Sequence, residues 1–177
     1  MGRTMTLRGT IECADGNRSK PKQCLDYVSP DRTRGWRISE AWLWCNEIRA
    51  STPNNSNGFM VIQAYLSTES VSATFDQTVS DNRLFAWLQQ QYMTRATTSG
   101  GSTDFIVPNS GLNTSNRFII DSDTTIVKEL WLSMGSSQDG TDEPLRTWNY
   151  LINLEEIKIS PEQSVFQQIK GMGQDIP

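Results

Sequence analysis

The stretch MTLRGTIEC, residues 5–13, alternates without a fault. Met5, Leu7, Ile11 and Cys13 fall on one side, with Gly9 between them, and Thr6, Arg8, Thr10 and Glu12 fall on the other. Side chains along a strand repeat every two residues and along a helix every 3.6, so this pattern buries one face only as part of a sheet. The same period recurs down the chain. GWRISEAWLWC (35–45) sets Trp36, Ile38, Trp42 and Trp44 against Arg37, Ser39, Ala41, Leu43 and Cys45. It reads as a central strand covered on both sides, its tryptophans packing a core, with an aromatic platform for a sugar or a base as the alternative.

FMVIQAYLST (59–68) is an apolar run of strand length. RLFAWLQQQYMTRA (83–96) suits a helix or a strand and is assigned to a strand because its neighbours are strands. FIVP (105–108) is a short strand broken at Pro108. RFIIDSDTTIVKELWLSMG (117–135) gives two strands about a DSD corner, and RTWNYLINLEEIKI (146–159) is the last and longest. Between them lie turn-rich or flexible segments: ADGNRSKPKQ, with Asp15-Gly16 as a hairpin signal, STPNNSNG, the polar ESVSATFDQTVSDN, TTSGGSTD and SSQDGTDEP. With 177 residues, the expected architecture is all-β. It is a single jelly-roll-like antiparallel β-sandwich of about eight strands in one domain over residues 1–177. An immunoglobulin-like sandwich would show a Cys…Trp…Cys core, which this spacing does not supply.

One helix interrupts the pattern. In ISPEQSVFQQIKG, Ser160 suits an N-cap, Pro161 the first helical position and Gln163 the third, completing a capping box. Gly171 is a natural stop, so the helix spans about 161–170 and leaves a short tail, 171–177. Val165, Phe166 and Ile169 form one apolar stripe. A helix this short is marginal alone, so it docks either as a lid on its own sheet, the first expectation, or on a neighbouring copy.

The inventory of reactive groups is thin. The chain has no histidine, which removes the commonest general base and the commonest transition-metal ligand. Three cysteines (Cys13, Cys24 and Cys45) lack CxxC spacing and read as small buried hydrophobes. Glu155 and Glu156 are adjacent on a strand and point to opposite faces, so they are no acid–base pair. DSD at 121–123 and QDGTDE at 138–143 offer oxygen ligands for calcium, but in turn chemistry and without EF-hand spacing. Nucleotide-loop and serine-hydrolase motifs are absent. The expectation is no enzyme, no cofactor and no metal site.

Charge narrows the partners. The net charge is −4, with eight Lys/Arg against four Asp/Glu in residues 1–38 and eight against sixteen in the remainder. No dense basic arm exists, so nucleic-acid contact is expected to be weak or indirect. No apolar run reaches the roughly 20 residues of a membrane span. The N-terminus has no apolar signal core, and the myristoylation-like spacing of Gly2 and Thr6 is short enough to be chance.

Three passages carry a resemblance: RTMTLRGTIECADG, RFIIDSDTTIVKELWLS, and NYLINLEEIKISPEQSVFQQIKGMGQDI. In their order of elements they resemble small structural proteins of uncultured marine viruses. The resemblance covers about half the chain. It implies a single jelly-roll virion subunit, although many small capsid proteins of that fold carry the basic arm missing here. The expected function is therefore a capsid subunit that self-assembles into a symmetric shell or surface layer. Its partners are copies of itself and other virion proteins, and its place is the virion, assembled in the host cytoplasm. Met5, Leu7, Phe166, Ile169 and Met172 are the candidate interface residues, on the premise that both ends of the chain are held by neighbouring copies. The alternative is a carbohydrate- or receptor-binding sandwich module. A carboxylate hydrolase finds no acid pair to nominate.

Overall fold

The computed structural model describes residues 2–14, 16–27, 33–46, 49–50, 58–72, 81–95, 104–108, 116–137 and 145–172. In chain order the elements are β1 (Thr4–Ala14), β2 (Lys22–Asp26), β3 (Arg34–Cys45), β4 (Arg49–Ala50), β5 (Gly58–Ser67), β6 (Leu84–Arg95), β7 (Asp104–Pro108), β8 (Ile119–Ile120), β9 (Glu129–Ser137), β10 (Leu145–Lys158) and α1 (Pro161–Met172). Two of these strands are two-residue pieces, which accounts for the difference from the expected eight. The ambiguous 83–96 segment is strand β6. The 138–143 acidic loop, Asp15 and the tail beyond Met172 lie outside the described residues.

All pairings are antiparallel and form two sheets, ordered β1-β10-β3 and β2-β9-β5-β6-β7-β4, with β8 on β6. The first strand lies beside the last and the second beside the penultimate one. The chain therefore changes sheet between β1 and β2, between β2 and β3, between β3 and β4, and between β9 and β10. That is the doubly wound order of a jelly roll. The hairpin signal at residues 15–16 misleads for this reason. Gly16 does turn the chain at φ 74°, but β1 and β2 leave it for different sheets. Residues 116–126 close one side of the sandwich. They bridge β3 through Arg117 and Ile126 and β6 through Ile119 and Ile120.

The core lies between the two sheets. Ile11, Leu43, Trp148, Ile152 and Leu154 of the small sheet meet Ile62, Leu66, Leu88, Leu130 and Met134 of the large one in a single buried cluster. Trp148 is fully buried and packs edge-on against Tyr92 at 5.4 Å. Gly9 gives space to the same layer, because a Cβ there would meet the Tyr150 hydroxyl at 2.5 Å.

Two bulges break the period-two pattern, and the first overturns an expectation. Between Ile38, which opposes Leu154, and Glu40, which opposes Asn153, Ser39 is an extra residue in β3. An extra residue reverses which side chains face the core. Trp36 and Ile38 are buried ahead of it, but beyond it Ala41 and Leu43 turn inward and Trp42 and Trp44 turn out. The four large residues assigned to one face are thus divided between two. Nor is β3 central. It is an outer strand of its sheet, and β10 is the strand paired on both edges. In β6, Phe85 is skipped between Ala86, opposite Leu66, and Leu84, opposite Ser67. Phe85 joins the core, while Leu84 joins Tyr65, Val71 and Trp87 in a smaller cluster on the outer face.

Replacing Trp148 by alanine is expected to cost about 3–5 kcal/mol of folding stability, as a large aromatic lost from a closed core. Trp148→Phe is expected to cost less, since the indole N–H has no hydrogen-bond partner. Denaturant unfolding of the two variants checks both values.

Candidate assembly interface

Helix α1 is built as its sequence dictates at the N-terminus. The Gln163 backbone N–H donates to Ser160 Oγ at 3.1 Å, and the Ser160 N–H donates back to Gln163 Oε1 at 3.0 Å. This reciprocal pair satisfies two of the donors that a helix start leaves open. Glu162 occupies the first turn, where a carboxylate is favoured by the helix dipole. At the other end, Gly171 does not stop the helix, which continues to Met172.

The face that α1 turns to the sandwich is not the expected one. Ser164 is the buried residue, at 2% exposure, whereas Val165, Phe166 and Ile169 are 40%, 66% and 54% exposed. The apolar stripe therefore does not form a lid over its own sheet. Beside it runs a groove of about 540 Å³ whose walls include Asp123, Thr125, Ile157, Ile159 and Gln163, with Phe166 at the lip. Of the other residues singled out for an interface, Met5 and Leu7 lie on the inner side of β1, half-buried against the core. Met172 ends the helix. Phe166 and Ile169 are thus brought to one exposed strip, and Met5 and Leu7 are placed elsewhere.

Two further exposed features escape a period-two reading. Trp44, 36% exposed, sits beside half-buried Trp42 on the outer face of the small sheet, opposite Asn149 and Leu151 respectively. Ile119, 70% exposed, borders a cleft of about 450 Å³ with Trp87, Gln89, Gln91 and Arg117. The bulge that exposes Trp42 and Trp44 leaves no mark in a single sequence. It is visible only as a ladder that skips Ser39.

The acidic candidates have structural partners. Glu155 faces Arg37 at 3.4 Å and Glu156 faces Arg34 at 3.0 Å, on opposite sides of β10. Asp121 accepts from the Asp123 N–H at 3.1 Å and the Thr124 hydroxyl at 3.0 Å, which makes the DSD corner a turn. Among the described residues no cluster of three acidic or thiol side chains could hold a metal ion.

The cysteines form no disulfide. Cys13 is buried in the core, while Cys24 and Cys45 pack against it. Burial pushes the Cys24 thiol up from 9.0 to about 11, against smaller opposing effects of the Tyr150 hydroxyl and Lys22. Burial, with the neighbouring thiol, also raises Tyr150 well above its ordinary value. A nucleophilic cysteine needs its thiolate near neutral pH, and Cys24 is held the other way.

No family model matches the chain, and no curated protein matches it. Solved structures are similar at low identity. VP1 of Trichodysplasia spinulosa-associated polyomavirus is 8% identical, over 89% of this chain and 96% of that one, at a TM-score of 0.42. VP1 of Human Polyomavirus 12, solved with 3'-sialyllactosamine, is 8% identical over 89% and 99%, at 0.42. A structure of Desmodium yellow mottle tymovirus is 11% identical over 90% and 84%, at 0.29.

Cys24 gives a pH signature. Its raised value in the folded state means that its contribution to stability is complete below pH 9.0 and is lost as pH rises through about 11. Alkylation of Cys24 in the folded protein at pH 8, followed by mass spectrometry, is expected to be about a hundredfold slower than in the unfolded chain. Stability should fall between those two pH values.

Proposed function

We propose that the chain is a virion structural protein: one sandwich domain over residues 1–177 that assembles with copies of itself into a symmetric shell or surface layer. The observation that carries this reading is the outward apolar stripe of α1. Val165, Phe166 and Ile169 sit on a well-capped helix and yet face solvent. Each such side chain gains roughly 1.5–3 kcal/mol when fully buried. A protein that builds a rigid platform for them and leaves them open has a partner for that face.

The supporting features are consistent with this. The jelly roll is a fold that viral shells use, along with lectin domains and cupins, and the three resembling passages imply the same role. β1 lies on the outside of the small sheet, so its outer edge is a further surface for neighbours, whereas the outer edge of β3 is taken by residues 116–126. Contact with other virion proteins belongs to the same reading, as does location in the virion after assembly in the host cytoplasm. With no basic arm, contact with nucleic acid is weak or indirect. No helix of the described residues is long and apolar enough to cross a membrane.

A second reading, carbohydrate binding, is favoured by one observation. The bulge at Ser39 brings Trp42 and Trp44 side by side onto an outer face with Asn149 and Thr10 in register. This is an aromatic surface next to hydrogen-bonding side chains. Trp36, buried at 7% exposure, takes no part in it.

Light scattering on purified full-length protein, with negative-stain microscopy, is expected to show discrete oligomers or closed particles. A monomer at every concentration and salt condition overturns the assembly reading. For the second reading, a glycan array is expected to give signals that Trp44→Ala abolishes; an array blank for the unaltered protein removes it.

A further inference from the structure

Strand β1 lies at the edge of the small sheet and pairs with β10 on one side only. Two hydrogen bonds fix the phase of that ladder. The Glu156 N–H donates to the Arg3 carbonyl at 2.7 Å, so Arg3 faces β10, and by alternation so do Met5, Leu7, Gly9, Ile11 and Cys13. The Asn46 N–H donates to the Thr147 carbonyl at 2.9 Å, so Thr147 faces β3 and offers nothing to Glu12 opposite it. The N–H and C=O groups of Thr6, Arg8, Thr10 and Glu12 therefore point away from the sheet, and their side chains are exposed. None of these outward backbone groups has a hydrogen-bond partner among the described residues. A cleft of about 860 Å³ separates residues 10–14 from residues 17–23, so the chain's own turn leaves room beside the edge.

Neighbouring edges are protected and this one is not. β2 has five residues, follows Pro21 and carries a bulge between Gln23 and Leu25, and the outer edge of β3 is taken by residues 116–126. β1 runs for eleven residues with no proline and no register shift, which makes it a template for another strand. Building on the assembly reading above, we propose that β1 pairs antiparallel with β1 of a second copy about a two-fold axis at Thr10, joining two three-stranded sheets into one. The occupant is a second copy because the charges on this edge are self-complementary. Arg8 and Glu12 make no ion pair among the described residues, and they stand two residues either side of Thr10. In the register centred on Thr10, Arg8 of each copy opposes Glu12 of the other, the reciprocal match that a two-fold contact requires. The same register is in phase. Thr10 meets Thr10, and Arg8 meets Glu12, as pairs that exchange hydrogen bonds, and inner faces stay on one side. Centring on Arg8 sets like charges together, and centring on Gly9 or Ile11 leaves each charge opposite threonine or alanine. Exposed ion pairs add little strength, so the backbone groups hold the contact and the charges select its register.

The test uses full-length protein in sedimentation-velocity titrations, with circular dichroism of each variant to confirm folding. Unaltered protein is expected to self-associate. Thr10→Pro removes an N–H that the β10 ladder does not use, so the variant should fold, and its dissociation constant should rise roughly tenfold or more. Arg8→Glu and Glu12→Arg each set two like-charge pairs across the axis and should weaken self-association severalfold. Mixed in equal amounts they should form a heterodimer close to unaltered strength, because both pairs are then opposite in sign. A mixture no stronger than either variant alone overturns the proposal, as does folded Thr10→Pro that associates like the unaltered protein. If Thr10→Pro does not fold, the charge mixture decides. Particles that persist in folded Thr10→Pro remove this contact and leave the assembly reading standing. A monomer throughout removes both and leaves the edge to a strand of another protein.

Discussion

Strand β10 is hydrogen-bonded along both edges, to β1 over eleven residue pairs and to β3 over eleven more. The small sheet has no other centre. Its inward residues, Trp148, Tyr150, Ile152 and Leu154, are also the layer on which the large sheet rests. Pairing and packing therefore converge on one strand, and the helix that follows is positioned by where that strand ends. Much of what the molecule presents to its surroundings is set by this rail. It holds β3 in the register that turns Trp44 out, and it delivers Ser160 to the point where α1 begins.

The two bulges show how a sheet alters its surface without altering its core. Inserting Ser39 keeps the inner face of β3 apolar, with Ile38 before and Ala41 after it, and moves two tryptophans to the outside. Skipping Phe85 in β6 keeps the core filled and creates a small outer cluster around Leu84 and Tyr65. In both cases the backbone locally breaks the ladder and the burial pattern is regained one residue out of phase.

The interior keeps titratable groups neutral. Tyr92 and Tyr150 are held protonated by burial, as is Cys24. Glu155 pairs with Arg37 between two exposed side chains, where such a pair contributes little to stability, and Glu156, 11% exposed, pairs with Arg34. What remains distinctive is apolar and external: the strip on α1, Trp44, Ile119 and the opening of β10 at Leu145.

The residues by themselves determined the all-β class, the single closing helix and its capping box, because each depends on neighbours within a few positions. Alternation declares a strand, and Ser160 with Gln163 declares a helix start. Only the tertiary structure decided which sheet each strand joined, where the alternation slips, and which way the helix faces. Gly16 turns the chain whether or not its flanking strands pair. Ser39 is a bulge only because Asn153 and Leu154 on a distant strand oppose its neighbours. The apolar stripe of α1 is the same stripe against its own sheet or against solvent. Its direction follows from how the chain leaves β10, with Ser164 rather than Phe166 turned to the body, and no local pattern records that angle.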